Sequence, residues 1–303
     1  MDLMQSDEEK LKQVRVLMAE ANSIREKDKR LIETLLGNFY GKQLDVGIRY
    51  SRAYGALLSG DYFKLIKLPD GNYLFVIADI SGHGLPAYTN LIRLNSAITL
   101  TLRDFEKTCV GACSINPQVL VNEITLKFTD LMAEIESDEF ASVLFTFIYN
   151  DKDKFYLKFI NRGMLFPLII RKFQNTPLDV YNLNLREKGW SPVRGPLLGS
   201  VVRDIMKERY FQYPSCEFIL YEGDRALFFT DGLSEAHRQG PAGGEEFGEV
   251  RIGDILRRCA HLSPQDAINR LFHDIYEFIG SPAQQKDDMS AIMIDFPPVR
   301  FPG

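Results

Sequence analysis

Histidine, cysteine and tryptophan are scarce in this chain: four, four and one among 303 residues. The cysteines (Cys109, Cys113, Cys216 and Cys259) are too few and too scattered for a disulfide framework or a thiolate zinc site, and no HxH or HExxH pair occurs. A metal bound here must be held by oxygen. Cys109 and Cys113 stand four apart, the spacing of same-face packing on a helix. A basic excess is missing as well. Against 36 Lys and Arg stand 41 Asp and Glu, a formal charge of -5. Affinity for a polyanion rests on basic side chains and released counterions, so nucleic acid is not expected as a partner. Long apolar runs are absent: the longest nearly unbroken one, residues 164–170, has seven residues. A membrane-spanning helix needs roughly 20, so no membrane insertion is expected. The first residues also lack the basic start and apolar core of a secretory signal, which makes the cytoplasm the expected compartment.

What is present is an ordinary globular mixture, 45% hydrophobic and 25% charged, in two textures. Residues 1–37 form a segment of their own. From Asp7 to Leu36 there is no proline or glycine, charges are dense, and apolar residues recur at helical spacing. With Val14, Ala21, Asp28 and Leu35 at one heptad position, Leu17, Ile24 and Leu31 take the other. This gives a short seam interrupted by Asp28. Gly37-Asn38 supplies a stop. Such a helix either lies on its own domain or pairs two copies of the chain into a homodimer.

After residue 40 the texture becomes that of strands. Residues 62–68 and 73–78 flank Pro69-Asp70-Gly71-Asn72 and read as a hairpin. Helices are expected over 85–103, with Leu91, Leu94, Ile98 and Leu102 on one stripe, and over 117–135. Residues 140–149, 154–161 and 166–171 read as a three-strand meander, and 217–221 with 225–230 as another hairpin. Helices over 252–259 and 264–279 and a strand over 289–296 complete the chain. Strands in antiparallel pairs, with helices grouped between the pairs, favour a layered α+β fold over a doubly wound parallel sheet.

The acids at strand ends carry the chemistry. Folding the first hairpin between Asp70 and Gly71 sets position 61 opposite about 80 and position 62 opposite about 79, making Asp61 and Asp79 cross-strand or diagonal neighbours. Two carboxylates beside a buried strand repel each other and resist ionising unless a cation or a base lies between them. Residues 226–232 repeat the device, a buried strand ending in Asp231-Gly232, and Asp287-Asp288 reverse it before the last strand. Four such positions suit hard cations, Mg2+ or Mn2+. Ser81-Gly82-His83-Gly84 forms a flexible loop into a helix, where His83 is either a loop histidine or a proton donor.

Gly60-Asp61-Tyr62-Phe63, Ala78-Asp79-Ile80-Ser81-Gly82-His83-Gly84, Phe229-Thr230-Asp231-Gly232-Leu233-Ser234-Glu235-Ala236 and Asp287-Asp288-Met289-Ser290 occur in that order. Together they resemble the metal-dependent (PPM, or type-2C) protein phosphatases, in the bacterial branch typified by RsbU and SpoIIE. Gly195-Pro196-Leu197-Leu198-Gly199 and Glu246-Phe247-Gly248 are similar to weaker signatures of that branch. The resemblance implies a phosphatase domain over 38–298, with a tail at 299–303. It also implies an α-β-β-α sandwich of two antiparallel sheets flanked by helices. In its terms Asp61 and Asp79 ligate two divalent cations, Mn2+ or Mg2+, and the Ile80 carbonyl joins them. Asp231 and Asp287 hold one cation from the other sheet, with Asp288 the alternative to Asp287, and His83 protonates the leaving oxygen. A metal-bridged hydroxide would then attack a phosphoserine or phosphothreonine in line. The implied substrate is a phosphorylated anti-anti-sigma (STAS) protein in a partner-switching pathway. A non-catalytic docking module and a two-metal phosphodiesterase are the alternatives. Ser59, Lys64 and Asn161-Arg162-Gly163-Met164 depart from the branch's usual residues.

Overall fold

The computed structural model describes residues 2–82, 84–108, 114–133, 139–151, 154–171, 178–186, 190–199, 212–239 and 244–296. Cys109 and Cys113 lie outside them. A long helix, α1 (Asp2–Leu36), precedes β1 (Asp45–Ser51), β2 (Tyr62–Lys67) and β3 (Tyr73–Ile80). Then come α2 (Leu85–Thr108), α3 (Pro117–Ala133), β4 (Phe140–Asp151), β5 (Lys154–Arg162), β6 (Leu168–Arg171), β7 (Asp179–Asn182) and β8 (Leu198–Gly199). The last part holds β9 (Ser215–Tyr221), β10 (Arg225–Phe229), a one-turn α4 (Asp231–Ser234), β11 (His237–Arg238), β12 (Glu245–Glu246), α5 (Gly248–Arg258), α6 (Pro264–Ile279) and β13 (Met289–Asp295).

One sheet runs β1-β13-β10-β6-β7 and the other β2-β3-β4-β5-β9, with β8 beside β4. The strands of both pair antiparallel. Period-2 alternation sends the side chains of each central strand into two cores. Phe75 and Ile77 of β3 meet Phe228 of β10 between the sheets, and the Phe75 and Phe228 rings stand 4.7 Å apart. Leu74, Val76 and Ala78 face α2 and α3, packing with Leu94, Ile98, Leu120 and Phe128. On the other side Leu227 and Phe229 pack with Ile268 and Leu271 of α6. Strands covered on both faces read as unbroken apolar runs, which is why these were easy to find. The layers are therefore helix, sheet, sheet, helix. The ends of α6 are set locally: Ser263 accepts from the Asp266 N–H, Pro264 opens the helix, and Gly280 closes it at φ 98°.

Three expectations need correction. The first hairpin pairs Tyr62 with Ala78 and Lys67 with Tyr73. Its register continues to Asp61 opposite Asp79, one residue from the expected fold. The loop is three residues closed by Gly71 at φ 84°, the bulged hairpin turn rather than a symmetric one. Second, residues 217–230 form no hairpin. β9 pairs with β5 in one sheet, whereas β10 pairs with β6 and β13 in the other. The Glu222-Gly223-Asp224 turn crosses between sheets, held by Phe296 N–H donating to the Asp224 carbonyl at 2.9 Å and by the buried Arg171–Asp224 ion pair. β6 leaves the expected meander in the same way, because a short link after β5 carries it to the opposite sheet. Third, the α1 seam is rotated. Leu31 is 41% exposed, whereas Ile32 (1%) and Leu36 (0%) are buried, as is Ala21. α1 lies against β1 and β2, the neighbouring edges of the two sheets, and the greasy stripe that counts is the one closing that edge. Of the remaining seam residues, the side chains of Val14, Leu17 and Ile24 lie outside the described ones.

Candidate metal centre

Four strand ends meet at one end of the sandwich. Asp61 precedes β2, and Asp79 sits next to last on β3, paired in register with Ser142 of β4. On the other sheet Phe229 pairs with Ala291, so Asp231 follows the end of β10 beside the start of β13, where Asp287 and Asp288 lie. Two glycines permit the close approach. A Cβ on Gly60 would stand 2.7 Å from the Ile80 carbonyl oxygen, and one on Gly232 would collide with the Asp288 carbonyl. Glycine beside each acid is therefore a packing requirement of the site.

Hydrogen bonds divide these acids into two kinds. Asp288 is 3% exposed. Its two oxygens accept from the Ala53 N–H at 2.9 Å and the Gly60 N–H at 2.8 Å, so it ties the loop between β1 and β2 to β13. Asp287 is exposed, and its Oδ1 accepts from the Asp288 N–H at 2.8 Å. Asp61, also 3% exposed, accepts the Thr230 hydroxyl on Oδ2 at 3.0 Å. That hydroxyl in turn accepts from the Ser290 N–H at 2.9 Å. Thr230 thus links the Asp61 carboxylate to the opposite sheet, a role that its place in the Thr-Asp-Gly run does not disclose.

The electrostatics follow from crowding. Burial pushes the Asp79 carboxyl up to about 9, and the charges of Asp61, Asp231, Asp287 and Asp288 all push the same way. Asp61 is pushed up to about 8, first by burial and next by Asp288, against the opposing pull of Arg25 and the Thr230 hydroxyl. Asp231 is raised by burial and then by Asp287. Glu235, one turn further on, is raised by burial and then by Asp231, Glu246 and Asp287.

Carboxylate oxygens alone are a donor set for hard cations, so the residues fit divalent metal in kind and in charge. Their spacing is open. Among the described residues, the group of three ligand-type side chains with atoms within 4.8 Å of one another is His273, Asp274 and Glu277 on α6. There Arg270 already pairs with Asp274 at 2.7 Å. No three of the strand-end aspartates bring their ligand atoms that close together. Of the residues expected from sequence, Asp61, Asp79, Ile80, Asp231 and Asp287 come together here, while His83 lies outside the described residues. Met164 is buried, with its sulfur 3.2 Å from the Ser142 hydroxyl, and Arg162 is buried over the Tyr213 ring at 4.4 Å. Both serve packing.

A family model described as stage II sporulation protein E (SpoIIE) matches residues 69–297. The chain belongs to the SpoIIE family. It carries a PP2C-type phosphatase domain, as the motifs implied, and is a phosphoprotein phosphatase by membership. Among solved structures it is similar to the SiaA-PP2C domain of Pseudomonas aeruginosa, with 16% identity and a TM-score of 0.65 over 94% of this chain and 98% of that one. The RsbU and RsbW domains of Rv1364c from Mycobacterium tuberculosis match at 18% identity and a TM-score of 0.56. The PP2C domain of SpoIIE from Bacillus subtilis, with a fragment of its regulatory domain, matches at 17% and 0.56. For both, 85% of this chain is covered, against 61% and 64% of the other chain, so the chain spans less than two thirds of their length. At these identities the likeness is one of fold. No curated protein sequence matches the chain significantly. No described helix is long and apolar enough to cross a membrane.

Proposed function

We propose that this domain hydrolyses a phosphoserine or phosphothreonine ester on a protein, with two divalent cations, Mn2+ or Mg2+, held by Asp61, Asp79, the Ile80 carbonyl, Asp231 and Asp287. The observation that carries this reading is the convergence of acids from both sheets on Asp79, raised to about 9 by burial and by four neighbouring carboxylates. Such a cluster ionises together only when cations neutralise it. Asp287 is preferred over Asp288 because both Asp288 oxygens already hold backbone N–H groups. Bound divalent cations would acidify a water and offset the charge of the transferring phosphoryl group. The chain's own part is to hold Asp61 and Asp79 side by side from one sheet, to bring Asp231 and Asp287 from the other, and to fix Asp61 through Thr230. His83 is proposed, from sequence, to donate a proton to the leaving oxygen. His83→Ala should lower turnover roughly 10²–10⁴-fold on a phosphoserine peptide and much less on p-nitrophenyl phosphate, whose leaving group needs no proton. Equal losses on both would assign the loop a positioning role.

The substrate proposed is a phosphorylated STAS-domain anti-anti-sigma protein of a partner-switching pathway. SpoIIE-family membership supports this, as does the similarity to a chain that carries RsbU and RsbW domains. A second copy of the chain is the other proposed partner, through the outward face of α1, where Val16 and Leu31 are exposed. Phosphate release should be measured with Mn2+ from phosphorylated STAS proteins, p-nitrophenyl phosphate and bis-p-nitrophenyl phosphate. Release from the phosphoprotein and the monoester is expected. Hydrolysis of the diester alone would make the domain a phosphodiesterase, and no release from any would make it a docking module.

A further inference from the structure

The face that α1 turns to the domain is Ala21, Arg25, Asp28, Ile32 and Leu36, spaced four, three, four and four residues apart, one helical stripe. Its two ends are anchored by burial. Ala21 joins the core between the second sheet and the helices α2 and α3, and Ile32 and Leu36 join the core between the sheets. The middle of the stripe is charged, which an ordinary packing helix avoids because desolvating an ion costs free energy unless the ion is bonded. Arg25 is bonded. Its Nη2 donates to the Asp61 carbonyl at 2.8 Å and to the Ser59 carbonyl at 3.3 Å, and its guanidinium lies 4.9 Å over the Tyr50 ring of β1. Three residues on from Asp61, on β2, Lys64 donates to Asn95 Oδ1 at 2.8 Å, an oxygen shared with the Tyr62 hydroxyl at 3.0 Å. Asp28, one turn beyond Arg25, adds its charge to Lys64.

The main-chain target matters. A guanidinium on the Asp61 carboxylate would compete with a cation for the same oxygens. Arg25 instead grips the backbone on both sides of Gly60, a turn that Asp288 also holds by accepting from the Gly60 N–H. The Asp61 N–H is held by the Ser59 hydroxyl at 3.1 Å, and the carboxylate is held by Thr230 from the far side. Arg25 of α1 and Asp288 before β13 thus hold the backbone from which the Asp61 carboxylate projects.

We propose that Arg25 is a positioning residue for the metal centre, holding the Ser59–Asp61 turn from behind so that the Asp61 carboxylate is aimed at the other aspartates. This rests on the metal-binding reading above. Arg25 touches neither substrate nor cation; it acts through Asp61.

The test uses the full-length chain. Mn2+ affinity is measured by calorimetry and by the Mn2+ dependence of p-nitrophenyl phosphate hydrolysis, alongside the melting temperature without metal. Arg25→Ala should weaken Mn2+ binding about 10- to 100-fold, the loss of one to two charge-assisted bonds, with turnover at saturating Mn2+ largely recovered. Millimolar guanidinium should restore affinity in Arg25→Ala and leave the wild type unchanged. Arg25→Lys, which keeps the charge and most of the packing but lacks the planar fork, should weaken binding less and fold if the alanine variant does not. Ile32→Ala provides the structural control: it should lower the melting temperature without changing Mn2+ affinity. Wild-type Mn2+ affinity in folded Arg25→Ala and Arg25→Lys overturns the proposal. So does an equal loss of affinity in Ile32→Ala, since Arg25 would then only fasten the helix. A wild-type chain that binds no Mn2+ overturns the metal reading together with this one, and it differs from the first two outcomes because Asp79→Asn would then change nothing.

Discussion

Asp79 is the residue on which the centre turns, because four other carboxylates act on it and its own burial is the largest effect. Replacing the carboxylate by an isosteric amide keeps the shape and removes a hard anionic donor. Asp79→Asn should therefore abolish Mn2+-dependent turnover and leave the metal-free fold at least as stable as wild type, since one repelling charge is gone. Asp231→Asn should lose turnover likewise. Near-wild-type turnover by either at saturating Mn2+ would remove it from the ligand set. Gly60 makes a separate residue-scale case. A methyl there would sit 2.7 Å from the Ile80 carbonyl oxygen and 3.4 Å from the Ala87 side chain, and backbone cannot yield as a flexible side chain can. Gly60→Ala should push β3 away from Asp61, lowering Mn2+ affinity and the melting temperature together. A variant with wild-type melting and affinity would show that the turn has room to spare. Asp61, Asp79, Asp231 and Asp287 stood out because each is an acid next to a buried apolar strand, a local pattern, with a glycine adjoining Asp61 and Asp231. Thr230, Ser59 and Arg25 were not, since what each does depends on a partner from another element. Arg25 lies 36 residues from Asp61, on a helix dense in charge.

At the scale of elements, helices and buried strands followed the sequence closely; α6 begins and ends at the expected residues, 264 and 279. The errors were in connections. Short links suggested hairpins where the chain steps from one sheet to the other, as between β9 and β10, and proximity in sequence carries no information about which sheet a strand joins. α1 is the expected helix; Ala21, Asp28 and Leu35 of one seam position face the domain, whereas Leu31 of the other is exposed and Ile32 and Leu36 are buried instead, because a seam that serves a sandwich edge need not follow a heptad. Its burial changes what truncation should do. Removing residues 1–36 takes away Ile32 and Leu36, both buried between the sheets, along with Arg25. Loss of large buried aliphatic side chains costs about 2–5 kcal/mol each, against a typical total of roughly 5–15 kcal/mol. The shortened chain is expected to melt far lower or aggregate, rather than remain a folded monomer with altered activity. Removing residues 1–17 spares Met18, which packs on the core of the second sheet, and the inward stripe from Ala21 on. Its melting temperature should match full length, and sedimentation should show dimer falling to monomer as the proposed pairing segment goes. Identical sedimentation of the two chains would end the dimer proposal while leaving α1 as the cover of the sandwich edge.

At the scale of the whole molecule, the centre exists only where two sheets are stacked. Asp79 lies on β3 and Asp61 adjoins β2 of one sheet, while Asp231 and Asp287 adjoin β10 and β13 of the other, so their repulsion acts between the two sheets at one end of the sandwich. Without metal, the fold must therefore carry this charge or bind protons in its place. Ordinary carboxyls in an unfolded chain titrate near 3.9–4.3, whereas folded Asp61 is pushed up to about 8 and Asp79 to about 9. Below about pH 4 both states are protonated, and these groups contribute nothing to the pH dependence. Between about 4 and 8–9 the folded state holds protons that the unfolded chain has released, so stability falls as pH rises through that window. The metal-free protein should then melt at steadily lower temperature from pH 5 to pH 9. Saturating Mn2+ should flatten or reverse the slope, because cations replace the protons and bind better as the carboxyls ionise. Asp79→Asn should shallow the metal-free slope without Mn2+ being needed. A melting temperature that climbs between pH 5 and pH 8 in chelator would mean that the five aspartates do not share one buried field, and the case for a cation-requiring centre between the sheets would go with it.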